Sequence, residues 1–69
     1  MNIGDLVMFV DEGRYSKYFF GQIGTVERYT SKGCDGNAHC RVRWIQPVPY
    51  HGRNTNMSDF QADCFKVVG

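Results

Sequence analysis

No stretch of this sequence approaches the roughly 20 apolar residues of a membrane-spanning helix. Its N-terminus carries the acidic Asp5 where a secretion signal needs basic residues and an apolar core. Both absences point to a cytoplasmic protein that makes no use of a membrane. Charge of one sign is also scarce: eight Lys and Arg against seven Asp and Glu leave a net +1, too little for a chain that grips nucleic acid through a strong, sequence-independent field. The cysteines, Cys34, Cys40 and Cys64, are odd in number, which fits a reducing compartment better than a closed disulfide framework. With 69 residues there is too little interior for two cores, so residues 1–69 are read as one domain. Beginning at a methionine and with no room for a second domain, the chain is expected to be a complete small gene product of the regulatory kind.

What is abundant is turn formers and rings. Eight glycines against two prolines, with five Phe, four Tyr and one Trp, favour short strands joined by many turns over long helices. Ile3 to Val10 reads as a first strand, apolar on both faces and therefore buried on both sides. Asp11, Glu12 and Gly13 break it. Arg14 to Phe20 follows as a long aromatic loop, with no clean period of 2 or 3.6. A second strand is expected over residues 22–30, where Gly21 and Gly24 permit a sharp bend or a close backbone approach. The cluster Ser31 to His39, with Gly33, Asp35, Gly36 and Asn37, is a turn. Cys40 to Trp44 alternates strictly, with Val42 and Trp44 inward and Arg41 and Arg43 outward. Pro47 and Pro49 are expected to stop ladder pairing, so that Gln46 to Asn54 loops across the surface. Thr55 to Met57 is a short strand, Ser58 or Asp59 caps one helical turn whose Phe60 points inward, and Cys64 to Val68 is the last strand. The fold class is thus all-β: a single five-stranded SH3-like barrel with a long aromatic first loop and one helical turn before the last strand.

The run Gly4-Asp5-Leu6-Val7-Met8-Phe9, a loop, and then Gly21-Gln22-Ile23-Gly24-Thr25-Val26 resembles the opening of KOW and related SH3-like modules of ribosomal proteins and transcription elongation factors. The resemblance covers about the first third of the chain. It implies an SH3-like barrel and a nucleic-acid-associated role in transcription or translation.

Two surfaces are candidates for binding. Tyr15 and Tyr18 on the first loop, Trp44 on the third strand and Tyr50 on the proline-containing segment are positions from which such a barrel can build an aromatic ligand face for a larger protein partner. Trp44 has a second reading, as filling for the barrel, while Phe19 and Phe20 are expected to close its open end. Arg28, Arg41, Arg43 and Arg53 belong to a segment, residues 28–53, whose local charge is +4, and are read as a patch for phosphates.

Chemistry is weakly represented. Cys34, His39, Cys40, His51 and Cys64 are soft enough ligands for zinc, but adjacent His39 and Cys40 on a strand point to opposite faces, so no metal and no cofactor is expected. A cysteine–histidine nucleophile would need an orienting third group and an oxyanion donor, which nothing marks. The expectation is a non-enzymatic binding module. It either docks tyrosine-rich loops or a strand edge on a protein partner, or acts as a KOW-like nucleic-acid module with an arginine face and aromatic stacking.

Overall fold

Val7 and Phe9, both fully buried, alternate with half-buried Leu6 and Met8 to make β1, Leu6–Phe9. In this computed structural model, which describes residues 1–34 and 36–69, the remaining elements follow in order. They are a helical turn α1 (Ser16–Phe19), β2 (Ile23–Thr30), β3 (His39–Tyr50), β4 (Arg53–Gln61), a 3-10 turn (Ala62–Cys64) and β5 (Phe65–Val67). Asp35, counted above in the turn cluster, lies outside the described residues. All pairings are antiparallel, in the order β4-β3-β2-β1-β5. The all-β class, the five strands and the single turn before the last strand are as expected.

The sheet coils so that one face becomes the core. Phe60 on β4, an edge strand, meets Phe9 on β1 at 4.9 Å and Phe65 on β5, the opposite edge, at 6.0 Å between ring centroids. Among the described residues no ladder joins β4 to β5; the rings bridge that gap. Val26, Val42, Trp44 and Val48 fill the space between. A bulge at Glu27, where β2 shifts by one residue against β3, adds the local twist that such coiling needs.

Several expectations are corrected. The first strand starts at Leu6 rather than Ile3, because Asn2 to Asp5 close a turn: the Asp5 N–H donates to the Asn2 carbonyl at 3.0 Å, and Gly4 takes φ +94°. Ile3 is left exposed, and β1 is fully buried on one face only. Gln46 to Asn54 is not a surface loop. It is the end of β3 and the start of β4, joined by a two-residue hairpin turn at His51 and Gly52, whose φ values of +50° and +77° are those of a type I′ turn. Tyr50 pairs with Arg53 across that turn and Val48 with Thr55. In such a hairpin these are the bonded pairs, so Pro47 and Pro49 fall on alternate positions whose nitrogens face away from β4. Among the described residues β2 pairs with β3 only as far as Trp44, so the prolines interrupt no ladder on that side. The helical turn falls at Ala62–Cys64, not at Ser58; Asp59 is engaged by Arg41 and Ser58 by Trp44.

Candidate interaction surface

Tyr15, Tyr18 and Phe19 stand three and four residues apart, and α1 is the single turn that this spacing makes, not the expected loop. The Tyr15 carbonyl accepts from the N–H groups of Tyr18 and Phe19, each at 3.0 Å. Gly21, at φ +82°, ends the turn, and its N–H donates to the Phe9 carbonyl at 2.9 Å, tying the segment to β1. Phe19 therefore points inward, 2% exposed, and stacks on Trp44 at 5.3 Å with the ring planes 24° apart. Phe20 points the other way and is 53% exposed, so only one of the two phenylalanines closes the core.

Trp44 is also core. It is 4% exposed, and its indole N–H donates to the Ser58 hydroxyl at 3.1 Å. The expected place for it on a ligand face is thereby overturned, since a ring wedged between Phe19 and Phe65 presents nothing to a partner. The three tyrosines do come together. Tyr18 meets Tyr50 edge-on at 4.7 Å, and Tyr15 lies 6.3 Å from Tyr50 and 5.5 Å from Phe60. All three are half-buried: their inner edges rest on the core cluster and their outer parts line the surface. Beside them runs a groove of about 330 Å³ whose lining includes Tyr15, Phe19, Tyr50, Ser58, Asp59 and Phe60.

Two cations escaped the sequence reading. The Arg14 guanidinium lies 5.5 Å from the Tyr15 ring centroid, and the Lys17 ammonium 5.3 Å from that of Tyr18, within cation–π range. Their signal in the sequence is that each basic residue directly precedes its tyrosine. Phe60 was read only as an inward-pointing ring, yet it carries Tyr15; nothing local announces that a ring from residue 60 meets one from residue 15.

The four arginines do not form one patch. Arg41 makes a two-point bond to Asp59, Nε at 2.9 Å and Nη2 at 3.1 Å, which raises the arginine's pKa and lowers the carboxylate's. Arg43 is held by Glu27 at 2.6 Å. Arg28 sits directly across from Arg41 with no carboxylate bound to it among the described residues. Arg53 is separated from the other three. The register shift between Arg43 and Val48 changes which alternate residues face inward, and as the cross-strand partner of Tyr50 Arg53 shares the tyrosines' face.

Cys40 is buried, Cys64 half-buried and Cys34 exposed, all unbridged. Burial first, then the nearby Cys64 and Asp59, push the Cys40 thiol up from an ordinary 9.0 to about 11. Burial with Asp11 and Asp63 does the same for Cys64. Both are neutral thiols at physiological pH, unsuited to nucleophilic attack. Among the described residues no three His, Cys, Asp or Glu side chains are grouped to hold a metal, and no helix is long and apolar enough to cross a membrane. Comparisons with family models, with curated proteins and with solved structures find no match to this chain.

Proposed function

We propose that the chain is a non-enzymatic, cytoplasmic protein-interaction module, an SH3-like small barrel, that docks its tyrosine surface on a larger protein partner and regulates it. The observation that carries this reading is the convergence of Tyr15, Tyr18 and Tyr50 on one face, anchored from below by Phe19 and Phe60. Rings held in place before binding lose little side-chain entropy when a partner covers them, so a few can dominate an interface. The alternative, a KOW-like nucleic-acid module with Tyr15, Tyr18 or Tyr50 stacking, draws less support: two of its four arginines already hold carboxylates, and the rings of Tyr15 and Tyr18 are engaged by Phe60 and Tyr50.

The test places a photo-crosslinking phenylalanine analogue at position 18 and, separately, at exposed position 45, in the full chain expressed in its native cells. A discrete protein adduct from position 18 alone, competed by excess unmodified chain but not by a Tyr18→Ala chain, is the expected result. Equal labelling from both positions, or adducts mainly to nucleic acid, would count against it. In a binding assay with the partner so identified, Tyr18→Ala is expected to cost about 1–3 kcal/mol. Because the ring is half-buried, the same change also lowers the melting temperature modestly, and less than Phe9→Ala does.

A further inference from the structure

The tyrosine face is ringed by cations that have no carboxylate of their own. Arg14 and Lys17 lie over Tyr15 and Tyr18, and Arg53 leaves the sheet beside its cross-strand partner Tyr50. None of the three forms an ion pair among the described residues, whereas Arg41 and Arg43 elsewhere each hold one. Among the described residues none of the acidic groups nearby is ion-paired with these three cations. Asp59 at the end of the groove is bound by Arg41, Asp11 accepts from the Gly13 N–H at 3.1 Å, and Glu12 stands exposed on the loop before Arg14.

Resting on the protein-docking reading above, we infer that the partner's contact is an acidic segment of polypeptide: aspartate and glutamate side chains placed against Arg14, Lys17 and Arg53, with an apolar side chain laid in the groove beside Tyr15, Tyr50 and Phe60. Charge complementarity selects this occupant, since three cations without ion pairs around a cluster of rings repel a basic segment and leave a neutral one unrewarded. Nucleic acid is less well matched. Base stacking needs open ring faces, but Arg14 and Lys17 lie over the rings of Tyr15 and Tyr18, and the edges of those rings are engaged by Phe60 and Tyr50.

The test uses a display library of random dodecapeptides selected on the immobilised full chain at low salt, with a twelve-residue oligothymidine titrated in parallel. The expected result is enrichment of peptides rich in Asp and Glu that carry at least one apolar or aromatic residue. Their binding should weaken about tenfold in the Arg14→Gln, Lys17→Gln, Arg53→Gln triple variant and again as salt rises to about 300 mM. These three side chains are exposed, so the variant is expected to keep its melting temperature, and that is measured alongside. Enriched peptides that are neutral or basic, yet still lost with Tyr18→Ala, would overturn the acidic partner and leave the tyrosine surface standing. Peptides indifferent to Tyr18→Ala, or no enrichment while oligothymidine binds, would overturn both. Acidic peptides whose binding ignores the triple variant would overturn the assignment of these three cations.

Discussion

Three cysteines of one chemistry are made different by where the chain puts them. Cys34 is exposed, whereas the raised pKa of Cys40, about 11 against an ordinary 9.0, cuts its thiolate fraction by about a hundredfold near neutral pH. Iodoacetamide at pH 8, followed by mass spectrometry, should therefore modify Cys34 rapidly and leave Cys40 and Cys64 intact in the native protein. The same shift fixes a pH dependence. Above pH 9 the unfolded chain sheds these thiol protons while the folded chain keeps them, so stability falls between about pH 9 and 11 as the pH rises. Urea titrations over that range should show the fall, and Cys40→Ala should make it shallower. Asp59 acts with opposite sign, in acid. Its lowered pKa, caused first by the hydrogen bond from Arg41, adds stability that is present above the ordinary carboxylate range and is lost as pH drops through the lowered value. Its exposure makes that contribution small. Trp44 gives the largest residue-scale effect: Trp44→Ala removes the ring that Phe19 stacks on and orphans the Ser58 contact, at a cost of about 3–5 kcal/mol. Tyr18→Ala, at a half-buried ring, should move the midpoint of denaturation far less.

Among the elements, the strands near Gly24 pack too closely for any side chain. A Cβ at Gly24 would lie 2.6 Å from the Arg43 carbonyl oxygen and 2.4 Å from a Val42 methyl. The oxygen belongs to backbone and cannot swing aside, so Gly24→Ala is expected to separate β2 from β3 and leave little folded protein by circular dichroism. Pro49→Ala, at a position whose nitrogen faces away from β4, should by contrast be nearly silent. These two positions also mark what could be read in advance. The close approach at Gly24, the alternation of Val42 with Trp44 and the succession of strands along the chain follow from local pattern, and so they were legible. The β3–β4 hairpin was not. Proline forbids pairing only on the side its nitrogen faces, and which side that is depends on a register set by the His51–Gly52 turn, a pair without the usual Asn-Gly signature. The helical turn α1 was hidden because four residues are too few for a period to stand out, though Tyr15, Tyr18 and Phe19 had the spacing. For the site, proximity of the tyrosines was expected from the layout. The burial of Trp44 and the separation of Arg53 depend on packing and on a register shift that no local pattern reveals.

At the scale of the molecule, opposite charges are paired where they crowd and left open where the rings are. The outer face of β2, β3 and β4 carries Arg28, Arg41 and Arg43, but Asp59 and Glu27 hold two of them, so the face should release few counterions on meeting a polyanion. A fluorescence titration with a mixed-sequence duplex, begun at about 50 mM salt, is expected to give a plot of log K against log salt no steeper than about −1 to −2, the mark of one or two phosphate contacts. The counter-ions themselves supply the control. Asp59→Asn together with Glu27→Gln removes two negative charges from a chain of net +1 and frees both arginines; because Asp59 also lines the groove beside the tyrosines, Glu27→Gln alone is measured alongside. If the ion pairs are what silence the arginines, the double variant should bind more tightly and steepen the slope by about two. Should the unaltered chain already bind with a slope steeper than about −3, and Arg41→Ala with Arg43→Ala flatten it, these arginines would be exchanging their carboxylates for phosphate. The nucleic-acid reading would then displace the protein one.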